Sequence, residues 1–359
     1  MITKEAILQA LSNVDDPDLK KDIVTLGMVE NLEIKDENIR FDLVLTTPAC
    51  PMKDMLVNAC KTAIKVMVSS SAVTTVNATS RVTTTRKSAE VLTGVKNIIA
   101  VASGKGGVGK STVAAGLALA LQKSGASVGL LDADIYGPSV PTIFNIHESP
   151  EMVVKGDKQM MIPVVKSGIK LLSIGMMTAP DQAIVWRGPM ISSAFRQFVN
   201  DVEWGELDYL IIDLPPGTGD VQLTLSQIVP LTGLVIVTTP QQLAMADARR
   251  AISMFKMPAI AKHIIGIIEN MAYFSPDDAP DKKYYLFGRD GGKELAREQQ
   301  VPFLGELPLI PAIQQQSDNG TLDASQPGFA PFVAVAEEVA RQLSVLNSQN
   351  LANFASQNV

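Results

Sequence analysis

Thiols and imidazoles are scarce in this chain. Its 359 residues include two cysteines and two histidines. Two cysteines exclude a disulfide framework, and within one chain they exclude a four-thiolate zinc or iron–sulfur cage. His147 and His263 lie far apart with no ligand spacing, and no Ser-His-Asp arrangement is discernible around them. No apolar run reaches the ~18 residues of a membrane span, and no basic, then apolar, then small-residue leader opens the chain. With so few thiols, these absences predict a cytoplasmic, reducing setting. Positive charge is not in excess either. Lys and Arg number 31 against 37 Asp and Glu, a net charge of −6, which argues against a nucleic-acid partner. No charged residue follows Arg341, so the C-terminal stretch lacks the basic face that holds an amphipathic helix on a membrane.

What is present reads as two folded regions. The composition, 46% hydrophobic and 19% charged, is that of a globular protein, and the length allows two or three domains of ~150 residues. Residues 1–83 alternate between helix-like and strand-like patterns. Helical periodicity covers 2–11 and 52–68, and strand-like alternation covers 29–34, 39–45 and 72–82. This is a small α+β domain. Residues 84–96 have little hydrophobic pattern and read as a linker. From 97 to 347 short unbroken apolar runs recur at 98–102, 128–131, 209–212, 234–237 and 264–268, with helix-like stretches between most of them. Continuous apolar strands indicate a mostly parallel sheet with both faces covered, a doubly wound α/β domain whose ligand lies at the carboxyl ends of the strands. Residues 329–346 read as an amphipathic capping helix and 348–359 as a frayed polar tail.

The strongest chemical signal is Gly104-Lys105-Gly106-Gly107-Val108-Gly109-Lys110-Ser111, followed by Thr112. It matches G-x-x-x-x-G-K-[ST] between a predicted strand and a predicted helix. Phosphate oxygens need many donors with no side chain in the way. Glycines let backbone N–H groups curl around them, and the helix N-terminus adds partial positive charge. In this pattern Lys110 neutralises the β- and γ-phosphates and the Ser111 hydroxyl ligates Mg²⁺.

Two other strands end in acids. Residues 128–131 lead to Asp132-Ala133-Asp134. Residues 209–212 lead to Asp213, then to Leu214-Pro215-Pro216-Gly217-Thr218-Gly219-Asp220. A carboxylate at a strand's carboxyl end faces the phosphate loop, and Asp213 is the candidate for the magnesium side. For Asp132 and Asp220 a nucleotide role and a helix-capping role remain equally open.

The run containing Lys105 resembles the signature-lysine, deviant Walker A branch of P-loop ATPases. That resemblance implies a Lys105 reaching across a homodimer to the partner's nucleotide, and an Asp134 orienting the attacking water. The segments 132–139, 185–190, 213–222, 238–241 and 269–271 are similar to the Mrp (ApbC-like) iron–sulfur cluster carrier ATPases. Residues 1–83, with Asp16-Pro17-Asp18, Leu26-Gly27-Met28-Val29 and Thr46-Thr47-Pro48-Ala49-Cys50-Pro51-Met52, are similar to the small domain often fused to them. The resemblance implies an ATP- and Mg²⁺-dependent ATPase that delivers clusters to apo iron–sulfur proteins or works with scaffold proteins. It implies an adenine contact at Asn270 and a base pocket closed by the segment starting at Pro308.

One departure stands out. Members usually carry Cys-x-x-Cys shortly after the Glu-Asn-Met element, so that two chains share one cluster. Here residues 272–281 contain no cysteine, and carboxylates such as Asp277 and Asp278 are poor substitutes for thiolates. Cys50 and Cys60 remain. Cys50, at a strand-to-helix junction, is the candidate cluster or persulfide thiol, with plain packing as its alternative. Cys60 shares a helical face with Met52 and Leu56 and reads as core. A second reading follows from this loss: a nucleotide-switched interaction module in iron–sulfur assembly that never holds a cluster.

Overall fold

A computed structural model describes residues 2–86, 91–177, 188–276, 278–279 and 281–357. The chain divides into two compact units, residues 86–339 and residues 1–85 together with 340–359.

The larger unit is built on an eight-stranded sheet. Its order is Val164–Lys166, Ile169–Ser173, Val128–Asp132, Leu207–Asp213, Val95–Ala102, Gly233–Thr238, Ile264–Phe274 and Phe303–Leu309. The first two strands pair antiparallel and every other neighbouring pair is parallel. Strands buried on both faces explain the unbroken apolar runs: Ile98, Ile99, Leu210, Ile211, Val235 and Ile236 are all fully buried. The helix Lys110–Lys123 lies in the core, its Ala- and Leu-rich surface buried nearly all round. Gly116 lets it do so, because a Cβ there would meet the Phe332 ring at 2.2 Å.

Register carries the site. Asp213 lies opposite Val101 on one side and Asp132 on the other, and Asp132 lies opposite Ser173. Three polar strand ends thus stand side by side next to the strand that enters the phosphate loop.

The smaller unit has a three-stranded sheet in the order Val29–Lys35, Asn38–Leu45, Val73–Ser80. Helices Lys4–Leu11 and Lys53–Met67 supply Ile7, Leu11, Leu56, Cys60 and Ile64 to its core, against Phe41 and Leu43 of the sheet. The expected elements are present here within one or two residues at each end, the Thr/Val-rich strand running Val73–Ser80 against the expected 72–82.

Several boundaries differ from the sequence reading. The strand entering the phosphate loop begins at Val95, so the expected linker of 84–96 is shorter. The strand Ile264–Phe274 carries the Glu-Asn-Met element inside it rather than after it. Pro308 lies within Phe303–Leu309 rather than beyond it. That strand is the sheet's edge, where a missing N–H breaks no ladder. The last helix runs Ala330–Gln357, well past the expected end at 346. Within the smaller unit its uncharged residues find partners. Ser344 Oγ and Thr46 Oγ1 are 2.6 Å apart, and Asn347 Nδ2 donates to the Thr83 carbonyl at 2.9 Å. These polar side chains are thus buried hydrogen-bonding groups. Residues 185–187 of the resemblance, and Asp277, lie outside the described residues.

Candidate functional site

The loop from Ser103 to Gly109 joins a buried strand to a buried helix. Gly107 and Gly109 have φ of +81° and +77°, a region that side-chain-bearing residues rarely adopt. They turn the chain so that the Lys110–Lys123 helix starts directly beneath the loop. Lys110 is 6% exposed, an ammonium that needs buried partners. It donates to Asp213 Oδ1 at 2.5 Å and lies 3.5 Å from Asp134 Oδ2. The Ser111 hydroxyl is 3.4 Å from the same ammonium. Lys110, Ser111, Asp134 and Asp213 therefore meet at one point.

Asp213 is fully buried. Burial raises its carboxyl above the ordinary carboxylate range, against the opposing pull of the Lys110 charge. Its Oδ2 has no hydrogen-bond donor within reach among the described residues, although the nearby Ser111 hydroxyl also favours the charged form. A buried carboxylate oxygen with an empty lone pair, beside a hydroxyl, is a donor set suited to a hard divalent cation. Asp134 is held differently: its Oδ1 accepts the N–H groups of Tyr136 and Gly137 at 3.2 and 3.3 Å. That leaves Oδ2 toward Lys110.

Asp132 takes the capping role. Its Oδ2 accepts from the Ser173 hydroxyl at 2.9 Å and from the Val140 N–H at 3.1 Å, and its Oδ1 from the Asp134 N–H at 3.1 Å. Burial, and then the charge of Asp213, push its carboxyl up to about 7. Asp220 is exposed in the first turn of the helix Asp220–Ile228, where a negative charge suits the dipole.

A cleft of about 590 Å³ opens above the loop. Lys105, Gly106, Gly107, Gly109, Lys110, Ser111, Thr112 and Asp134 all line it. So do Pro138, from the segment 132–139, and Thr142, Ser317 and Asp318, which no motif joins to the loop. Val108 is buried. Asn270 and Pro308 do not line this cleft. The Asn270 amide instead donates to the Val108 carbonyl at 2.9 Å, supporting the loop from below. Pro308 follows Leu307, which pairs with Asn270 across neighbouring strands, so the two residues do belong to one corner of the sheet.

The thiols lie elsewhere. Cys60 is fully buried in the core of the smaller unit, and burial pushes its thiol up to about 12. Cys50 is half-buried and neither cysteine is in a disulfide. A native thiol titration at pH 8 should therefore report one rapidly reacting group, assigned to Cys50 by Cys50→Ser, with the second appearing only on unfolding. Two fast groups would contradict this burial. Beside the segment where family members carry Cys-x-x-Cys, the described residues form an aromatic and cationic surface. Lys283 Nζ sits 3.9 Å above the Tyr273 ring, Tyr273 and Tyr285 lie 6.1 Å apart, and Arg289 covers Tyr285 at 4.8 Å. Among the described residues, no group of three or more His, Cys, Asp or Glu is placed to hold a metal ion, and no helix is long and apolar enough to cross a membrane.

A glycine-rich loop between parallel strand and helix, an invading lysine and acids on the adjacent strand ends define a P-loop nucleotide-binding protein. The family described as "NUBPL iron-transfer P-loop NTPase" matches residues 94–344, and that described as "Iron-sulfur cluster assembly protein" matches residues 4–78. An iron–sulfur cluster carrier protein of Synechocystis is 44% identical over 351 residues, covering 96% of this chain and 99% of that protein. The chloroplastic Fe–S cluster assembly factor HCF101 of Arabidopsis thaliana is 43% identical over 89% of this chain, which spans 59% of the plant protein. Among solved structures, a nucleotide-binding protein from Archaeoglobus fulgidus in complex with ADP is 40% identical, with a TM-score of 0.57 over 66% of this chain and 91% of that one. The chain belongs to the iron-transfer P-loop NTPase family and carries at its N-terminus an iron–sulfur cluster assembly domain.

Proposed function

We propose that this protein is an ATPase that carries iron–sulfur clusters to apo-proteins and works as a homodimer. The observation that carries the nucleotide part is the buried meeting of Lys110 with Asp213 and Asp134 under a glycine loop. A buried cation held by two carboxylates that it can exchange for phosphate oxygens is a site prepared for triphosphate. The N–H groups of the loop and of the helix N-terminus would bind the phosphates, and Lys110 would bridge the β- and γ-groups. Ser111 and Asp213 fit a magnesium ion, which when bound supplies positive charge to the same phosphates. Asp134 would orient water for in-line attack on the γ-phosphorus, its carboxylate steadied by two backbone N–H groups. Lys105, on the rim of the cleft, would reach the nucleotide of the partner subunit. Asn270 and the strand carrying Pro308 would form the adenine side.

The cluster is cargo. Cys50 is the thiol proposed to handle it, since Cys60 is sealed. The second reading, an interaction module that never holds a cluster, is favoured by the cysteine-free 272–281 segment.

Anaerobic reconstitution separates the two. Iron and sulfide should fall short of one [4Fe–4S] cluster per dimer, and Cys50→Ser should lower them further. A full, stable cluster unaffected by Cys50→Ser would overturn the assignment of Cys50. No iron at all, with ATP-dependent capture of a scaffold protein, would select the second reading. In the same preparation Lys105→Ala should lower ATP turnover by about tenfold or more while leaving ADP affinity nearly unchanged.

A further inference from the structure

The loop of residues 214–219 leaves the strand carrying Asp213 and borders the cleft. Two of its N–H groups are tied to the strand and turn that enter the phosphate loop: Leu214 to the Val101 carbonyl at 3.0 Å and Gly217 to the Ser103 carbonyl at 2.9 Å. Pro215 and Pro216 have no N–H to give. Their carbonyls are claimed by one side chain, the amide of Gln222, at 3.0 and 2.7 Å. Pro216 lines the cleft, and a Cβ added to Gly106 would lie 3.9 Å from its ring, so this amide holds the proline against the phosphate loop.

Gln222 is itself 3% exposed, in the first turn of the helix Asp220–Ile228. Both of its amide bonds go to the proline carbonyls, yet its Oε1 has no donor among the described residues. A buried primary amide normally uses both ends. The space beside the oxygen belongs to the loop: a Cβ on Gly219 would lie 3.5 Å from Oε1. Gly217, with φ of +96°, gives the intervening backbone a turn that a side chain would resist.

We propose that Gln222 is a positioning residue for hydrolysis, a latch that is half closed here. Its amide group holds Pro216 toward the phosphate loop, and its empty oxygen accepts an N–H from residues 218–219 when a γ-phosphate draws the loop inward. Gln222 touches neither nucleotide nor water; it acts through the loop. The proposal rests on the ATPase reading above and extends it to what senses the γ-phosphate.

The test uses full-length protein, Gln222→Leu, which removes both functions at similar size, and Gln222→Glu, which removes the donor. Each should lower kcat by about tenfold or more, with the KM for ATP and the affinity for ADP within about threefold of wild type. Hydrogen exchange supplies the second readout. In wild type, residues 214–222 should be better protected with a non-hydrolysable ATP analogue than with ADP, and Gln222→Leu should erase that difference. Wild-type kcat in both variants, or an equal loss of ADP affinity and kcat, overturns the latch. So does wild-type exchange that is the same with either nucleotide, an arm that stands even if a variant fails to fold. A wild type that binds nucleotide but does not hydrolyse ATP would sink the ATPase reading instead, leaving the exchange comparison to decide the latch.

Discussion

Lys110→Ala should abolish ATP hydrolysis, weaken nucleotide binding by at least about a hundredfold, and also destabilise the nucleotide-free protein. The first two effects follow from removing the only lysine of the loop that enters the buried acid cluster. The third follows from burial. Asp213 is fully buried and Asp134 nearly so, and Lys110 is the cation between them. Breaking a buried ion pair from one side leaves an uncompensated charge and costs about 3 kcal/mol or more, roughly 10 °C in Tm for a domain of this size.

The sign of the pH dependence is defined. Asp213 already has a carboxyl raised by burial, and losing Lys110 raises it further. An acid whose folded pKa lies above its unfolded value favours folding in its protonated form. Its destabilising effect is absent below the unfolded pKa, grows as pH rises from there toward the folded pKa, and is complete above it. The Tm deficit of Lys110→Ala should therefore be smaller near pH 4 than near pH 8. Thermal unfolding at both pH values, with calorimetric ADP titration, checks this. Retained hydrolysis, or the same deficit at both pH values, would contradict the role given to Lys110.

Gly104→Ala is expected to be comparably damaging for a steric reason. A Cβ at Gly104 would lie 2.1 Å from the Asp247 carbonyl carbon and 2.3 Å from both its oxygen and the Ala248 nitrogen. These are backbone atoms of the helix Gln242–Lys256, which is anchored by buried Ala244, Ala248, Ala251, Ile252 and Phe255. A flexible side chain could swing away; this backbone cannot. The phosphate loop must move instead, at a cost of roughly 1–3 kcal/mol or more and with loss of the N–H geometry that binds phosphate. Gly106→Ala is the control. Its φ is not in the left-handed region, and a Cβ there would lie no nearer than 3.9 Å to the ring of Pro216. It should fold with stability within about 0.5 kcal/mol of wild type. Equal thermal stability and equal ADP affinity in the two alanine variants would refute the close approach of Gly104 to the helix.

The glycine-rich loop of the cleft was legible in the sequence because its parts are local. Gly104 to Thr112 is one contiguous turn, and its strand–turn–helix setting follows from hydrophobic periodicity alone. Asp213 was legible because an acid ending a continuous apolar run sits at the carboxyl edge of a parallel sheet. Asp132 was not. Its sequence position resembles that of Asp213, and only its three donors, Ser173, Val140 and Asp134, mark it as a support. The amide of Asn270 donates to the Val108 carbonyl, a contact that nothing in the neighbouring residues announces. A side chain's first partner depends on which loop the strand order brings above it.

The C-terminal helix illustrates the same limit. Ser344 lies inside the helix expected from sequence and Asn347 just past it, and only the structure shows them buried by hydrogen bonds to Thr46 and Thr83. Composition reports the cost of burying a group, not whether a partner waits for it.

From residue order alone came the phosphate loop, the parallel α/β class, the small N-terminal domain, and the missing Cys-x-x-Cys with both thiols left near the N-terminus. Each is written in neighbouring residues or in a count. Tertiary structure decided which carboxylate Lys110 meets, which acid is a cap, that Cys60 is sealed and that Gln222 grips the loop beside the cleft. Those outcomes depend on strand order and register, which bring together groups such as Lys110 and Asp213, 103 residues apart in the chain, and exclude the water that would otherwise satisfy them.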